Sequence, residues 1–434
     1  MPFPTERTAL LLALAAFIAL LVAGMTGLPR VLALLDGAVL LLFGVDALLA
    51  PGPGTLAAAR RFPEPLSAFS PNPVTLTVSS RAGRPLRLDL ADAPPAELDS
   101  SGHRRRLRLA PGEAVAIRYE VIPRCRGEVA FGDLYARTRG PLGLASRQFR
   151  VPLSRAARVY PDLRSLAVAL LAGRAEEGRA RTLGLYEGRE FAALRPYLPG
   201  DDPRGVDWKA TARRGAPVVR EWQPERNQVV WLLLDCGRQL SARLRDGRLK
   251  LDHAVDAALA LARAAAMRGD RTGAILFGAE VECVVPPAAG RAGLSALAEA
   301  LHRARPRAEE ADYGAAFEVL SARQRRRALV VLLTDLSDPD SGVALRTSAA
   351  FLARRHLLFL LAAADSEISE AALARPNNPE EAFERVAAER ILADRDLQAA
   401  ALRSVGVRVE SAPARSLGAA VLRRYLEVKR RGEL

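Results

Sequence analysis

The run VVWLLLD at residues 229–235 decides the fold of the C-terminal half of this chain. It is short, continuously apolar and closed by a carboxylate, which is the pattern of a strand buried on both faces. Further strands of the same kind follow at TGAILFG (272–278), VECVVP (281–286), ALVVLLTD (328–335), HLLFLLAA (356–363) and VRVE (407–410). Amphipathic stretches at about 249–268, 291–303, 312–325, 341–355, 380–403 and 415–428 read as the intervening helices. Strand and helix in alternation predict a doubly wound α/β domain over residues 227–434. Ligands of such folds sit at the carboxyl ends of the strands, and here those ends carry Asp235 and Asp335.

Immediately upstream, residues 187–226 read EGREFAALRPYLPGDDPRGVDWKATARRGAPVVREWQPER. Pro199-Gly200 makes a turn, Asp202 suits a helix N-cap, and Pro203 suits the first helical position. A short helix is expected through Trp208 toward Arg214, ended by Gly215. Asp201, Asp202 and Asp207 alternate with Arg195, Arg204, Arg213, Arg214 and Arg220, which fits an internal salt-bridge network. The segment from 161 to 226 is therefore expected to clasp the following domain, with a partner-docking surface as the alternative use.

This block resembles the signature of the bacterial family known as domain of unknown function 58. The resemblance is gapless through Gly188, Glu190, Phe191, Arg195, Tyr197, Gly200, Asp201, Asp202, Arg204, Asp207, Trp208, Lys209, Ala210, Ala212 and Arg213. It implies a membrane hairpin, a small β-rich region and a von Willebrand factor A-like domain, with a MoxR-type AAA+ ATPase as partner in assembly or maturation of other proteins. In von Willebrand A domains the rim holds a metal-ion-dependent adhesion site, built from Asp-x-Ser-x-Ser, a Thr and a later Asp. Such a site presents hard oxygens octahedrally to Mg²⁺. Here the first loop reads Asp235-Cys236-Gly237-Arg238-Gln239, so both serines are lost, and Ala311 stands at the threonine position. Asp235, Asp335 and Asp312 remain as degenerate metal ligands, and no cofactor is expected. Arg238 is the candidate to neutralise Asp235 or Asp335 in place of a metal.

The N-terminal region has its own pattern. Residues 9–28 are uncharged and almost wholly apolar, and residues 31–50 repeat this with Asp36 and Asp46 embedded. Each is long enough as a helix for a hydrocarbon core of ~30 Å, so residues 1–54 are expected to form a transmembrane hairpin. Arg7 and Arg60-Arg61 against Arg30 place both ends in the cytoplasm, making the chain a multi-pass inner-membrane protein. Arg60-Arg61 would also attract anionic lipid headgroups. From residue 55 to 160, short alternating runs such as VTLTV (74–78), LRLDL (86–90) and AVAIRYEV (114–121) predict an antiparallel sandwich.

Composition narrows the function. The net charge is +14, but only Lys209, Lys250 and Lys429 among 63 basic residues are lysine, a bias toward arginine that reads as genomic. Basic residues are spread along the chain with few aromatics to stack bases, so nucleic-acid binding is the minor alternative. Cys125, Cys236 and Cys283 form neither a zinc spacing nor a disulfide framework, and the four histidines are scattered. No G-x-x-x-x-G-K-[ST], G-x-S-x-G or H-E-x-x-H motif occurs. The reading is a non-enzymatic interaction scaffold without a small-molecule substrate. A metal-dependent hydrolase at the Asp235/Asp335 edge is the alternative.

Overall fold

The computed structural model of the protein describes residues 2–23, 29–161, 190–198, 201, 203–223, 227–337 and 339–434. These form two compact units, Met1–Tyr160 and Pro161–Leu434.

The first unit opens with β1 (Pro2–Pro4), α1 (Glu6–Ala23) and α2 (Pro29–Leu49). Eleven strands follow: β2 (Leu56–Arg61), β3 (Leu66–Ser67), β4 (Asn72–Ser80), β5 (Leu86–Asp92), β6 (Leu98–Ser101), β7 (Arg104–Leu109), β8 (Ala114–Pro123), β9 (Gly127–Phe131), β10 (Leu134–Arg139), β11 (Ala145–Val151) and β12 (Arg155–Tyr160). They form sheets of order β1-β11-β10-β5-β7, β2-β4-β8-β6 and β3-β12-β9. The period-2 alternation sends Val74, Leu76 and Val78 inward from β4, where they share one core with Leu88 and Leu90 of β5 and Phe131 of β9. Within this core Arg60 and Tyr119 both donate to the buried Asp92, the tyrosine at 2.5 Å, and Arg60 also donates to the carbonyls of Gly132 and Leu153. Burial and the Asp92 hydrogen bond push the Tyr119 hydroxyl well above its ordinary range.

The expected transmembrane hairpin is corrected here. Among the described residues no helix is both long and apolar enough to cross a membrane. The first helix has 18 residues, about 27 Å at the α-helical rise, and includes Glu6 and Arg7. The second has 21 residues but contains Arg30, Asp36 and Asp46. Asp46 is fully buried and accepts the backbone N–H groups of Leu142, Leu144 and Ala145, each at 2.7 Å. Thr5 and Thr8 at the start of α1 donate to the carbonyls of Gly143 and Leu144 in the same loop. One end of each helix is thus tied to the β-sheet region by polar bonds that a hydropathy reading does not register. The multi-pass inner-membrane placement, with its domains facing the cytoplasm, falls with the hairpin. Arg60, expected at lipid headgroups, is instead buried against Asp92.

Among its described residues the second unit has first β13 (Glu190–Pro196), α3 (Trp208–Arg214) and β14 (Val218–Gln223), with β13 and β14 an antiparallel pair. It continues as β15 (Val229–Asp235), α4 (Lys250–Met267), β16 (Arg271–Phe277), β17 (Val281–Ala289), α5 (Gly290–Arg303), α6 (Tyr313–Arg323), β18 (Leu329–Thr334), α7 (Pro339–Ala353), β19 (Leu357–Ala364), α8 (Ser366–Leu373), α9 (Pro379–Ser404), β20 (Arg408–Pro413) and α10 (Leu417–Arg431). The sheet order is β17-β16-β15-β18-β19-β20, parallel throughout except for the antiparallel edge strand β17. Trp231 and Leu233 of β15 join a core with Tyr313, Phe317, Leu345 and Leu402 from α6, α7 and α9. Val230, Leu232 and Leu234 point the other way and are equally buried, on the face covered by α4. A strand covered on both faces has no polar side to show, which is why β15, β18 and β19 read as unbroken apolar runs. The α/β expectation stands as mixed α/β with several sheets. The helix α8 was not anticipated.

Candidate functional site

Two carboxylates emerge where β15 and β18 end. Asp235 closes β15, and Asp335 follows the last residue of β18; both are buried. They have different neighbours. Asp235 receives the Gly237 amide at 2.7 Å on one oxygen, and the Tyr313 and Thr334 hydroxyls at 2.9 and 2.5 Å on the other. Tyr313 and Thr334 are also 2.9 Å apart, closing a triangle of hydroxyls and carboxylate. Burial is the largest influence on Asp235 and raises its pKa above the ordinary carboxylate range, against the lowering effect of these donors. The Tyr313 hydroxyl is likewise pushed well up by burial and by the Asp235 charge.

Asp335 is held by cations. The Lys250 ammonium, at the first position of α4, donates to one oxygen at 2.7 Å. The Arg395 guanidinium, from within α9, donates to the other at 2.8 Å and to the Ser337 hydroxyl at 3.0 Å. The Leu336 amide adds a third donor at 2.7 Å. Both cations are nearly as buried as the aspartate, so the trio is a desolvated charge cluster with one acid and two bases. Arg395 Nε is buried without a hydrogen-bond partner.

The sequence-level candidates separate accordingly. Asp312 is not brought into this cluster as a ligand: it is the N-cap of α6, accepting from the Ala315 amide at 3.0 Å. Arg238 pairs with Glu310 at the surface, so the expected neutralising arginine is replaced by Lys250 and Arg395. Those two partners were not found from sequence because they lie far from Asp335 along the chain and belong to no motif; only the fold brings them together.

The lost serine at Gly237 also has a steric cause. A Cβ at Gly237 would lie 2.9 Å from the Ala311 amide nitrogen and 3.0 Å from the Glu309 carbonyl oxygen, so the loop before α6 closes against this backbone. No hydroxyl-bearing side chain fits there without moving that loop. Mg²⁺ asks for hard oxygens in near-octahedral array with room for water. These residues do not fit it: both Asp235 oxygens are taken by protein donors, and a divalent ion at Asp335 would meet two positive charges. Among the described residues no group of three or more His, Cys, Asp and Glu is placed to hold a metal ion.

The signature block yields a second set of positions. Arg195 grips Asp201 in a bidentate pair, at 2.7 and 2.6 Å, and Asp201 also accepts the Leu198 amide. The arginine lowers the Asp201 pKa to about 2. The Tyr197 hydroxyl donates to the Asp201 carbonyl at 3.2 Å. The helix cap falls on Asp207, which accepts the Ala210 amide at 3.0 Å, and Pro203–Gly205 forms a separate 3₁₀ turn. The expected start of the helix near Asp202 and Pro203 is thus corrected. Gly215 ends the helix at φ 69°, as read from sequence. Trp208 is 73% exposed, and Lys209 and Arg213 on the same helix are exposed as well. Gly200, Asp202, the Arg204 side chain and residues 162–189 lie outside the described residues, as does that part of the expected clasp.

Residues 193–394 match the family described as protein of unknown function DUF58. The chain is 32% identical over 183 residues to an uncharacterized protein of Mycobacterium tuberculosis, covering 41% of this chain and 56% of that one. It is 28% identical over 124 residues to the uncharacterized protein YeaD of Bacillus subtilis, covering 28% and 31%. The chain thus spans about half the length of the first of these relatives and less of the second. Among solved structures, an uncharacterized membrane spanning protein from Vibrio fischeri aligns at 14% identity over 47% of this chain and 99% of that one, with a TM-score of 0.19. The family expected from the signature block is therefore the one matched, and it is a family of unknown function.

Proposed function

We propose that the chain is a non-enzymatic protein-interaction scaffold, and that it engages a MoxR-type AAA+ ATPase acting in the assembly or maturation of other proteins. The observation that carries this reading is the exposure of Trp208 within the signature block. A tryptophan on a capped, ended helix is a rigid apolar anchor held in water, the residue type most enriched at binding hot spots. Lys209 and Arg213 beside it supply charge for steering a partner. The rim supports the non-enzymatic part, since Asp235 and Asp335 are committed to protein donors and neither is free to act as base or metal ligand. ATP hydrolysis in this pairing belongs to the partner, because the chain has no G-x-x-x-x-G-K-[ST] motif.

The test is binding of the purified full chain to its cell's MoxR-type ATPase, comparing wild type with Trp208→Ala. Loss of affinity of about tenfold or more, with melting temperature unchanged, is expected for an interface anchor. Undiminished binding by the variant would remove Trp208 from the interface, and absence of binding by the wild type would remove the partner.

A further inference from the structure

A cleft of about 600 Å³ opens at the edge of the C-terminal sheet opposite the two aspartates. Its floor is the start of β15 and of β16, and its wall is the loop from α6 to β18. Five arginines line it: Arg271, Arg323, Arg325, Arg326 and Arg327. Among the described residues no acidic side chain and no aromatic ring lines it; the remaining lining includes Gln228, whose side-chain amide donates to the Leu434 main-chain oxygen at 3.4 Å. Among the described residues none of the five has a carboxylate at ion-pair distance, in a chain where many other arginines are paired. The acid adjacent to Arg271 in sequence is already taken. Asp270 is fully buried and bound to the Lys429 ammonium at 2.9 Å and the Tyr425 hydroxyl at 2.7 Å. Arg271 Nε is buried in turn with no hydrogen-bond partner.

The wall is also ordered. Trp231 Nε1 donates to Gln324 Oε1 at 3.2 Å, and Gln324 Nε2 donates to the Arg326 carbonyl at 2.8 Å, so a core indole fixes the loop that carries the guanidiniums. Arg323 alone is explained by its place in the last turn of α6, where a cation complements the helix dipole. The other four are not. Like charges converging on a concave wall repel one another and focus a positive potential, an arrangement that an anion relieves.

We propose that this cleft binds a compact, multiply charged oxyanion of the polyphosphate class. Guanidinium forks match phosphate oxygens in pairs, and the cleft has the volume of a small-ligand site. An acidic peptide spreads its carboxylates along an extended chain and matches so compact a cluster less well. Among the described lining residues no aromatic side chain is placed to stack a nucleobase, so recognition rests on the phosphate chain, whether free or carried by a nucleotide. The site is independent of the proposed interaction through Trp208.

The experiment is calorimetric titration of the full chain with inorganic tripolyphosphate, with ATP and pentaglutamate as comparison ligands. Tripolyphosphate is expected to bind, ATP no more tightly, and pentaglutamate more weakly, all falling with added salt. Arg271→Lys keeps the charge but loses the fork, and Arg326→Ala changes an exposed position; each should weaken tripolyphosphate by about tenfold. Arg385→Ala, on a distant helix, should leave it unchanged. The proposal is overturned if tripolyphosphate does not bind, if Arg385→Ala weakens it as much as the cleft variants do, or if ATP or pentaglutamate binds more tightly.

Discussion

Lys250 and Arg395 reach Asp335 from two different helices, and what they do there follows from burial. A carboxylate with two desolvated cations cannot be removed cheaply, because each cation is then left without its counter-charge. Asp335→Ala is expected to cost about 3–5 kcal/mol of unfolding free energy, read from denaturant titration. Lys250→Met should cost less, since Asp335 keeps Arg395; the reverse order would mean that the lysine holds the site alone. Asp235 behaves differently because its hydrogen-bond donors are neutral. Its folded-state pKa is raised, so its contribution to stability is full below its unfolded value of 3.8 and is lost as pH rises through the folded value. Asp235→Asn cannot ionise. The melting temperature of that variant relative to wild type should therefore climb with pH above 3.8, and a flat difference would show that the donors outweigh burial.

At the scale of elements, the signature helix α3 separates two roles that its sequence blends. Asp207 caps it and Gly215 ends it, while Trp208 at its first position faces solvent. Sequence pattern alone placed the cap at Asp202, since an Asp-Pro pair is a strong start signal. The 3₁₀ turn at Pro203–Gly205 absorbed that signal instead. Asp207→Ala should thus lower stability by about 1 kcal/mol through the lost cap. Trp208→Ala should leave the melting temperature nearly unchanged, and a fall as large as that of Asp207→Ala would mean that the indole is packed against the protein. In the first unit, hydropathy misread α1 and α2 for a related reason. Hydropathy counts apolar side chains along the chain, whereas the bonds from Asp46, Thr5 and Thr8 to the 142–145 loop join residues far apart in it.

For the whole molecule, the strands of the C-terminal sheet were legible because each is buried on both faces and reads as an apolar block. The alternating strands of the first unit were legible because each is buried on one. Asp235 and Asp335 were legible as strand-end carboxylates; Thr334 and Tyr313 stood next to residues already singled out but carried no signal of their own. Lys250 and Arg395 were not legible at all, since a lysine opening one helix and an arginine inside another become partners only through the fold. Their presence decides the character of the rim: the positive charge beside Asp335 comes from the chain itself. Calorimetric titration of the full chain with Mg²⁺ and Mn²⁺ tests this most directly. No binding in the micromolar range is expected. Micromolar binding that is abolished by Asp235→Ala would overturn this view of the rim.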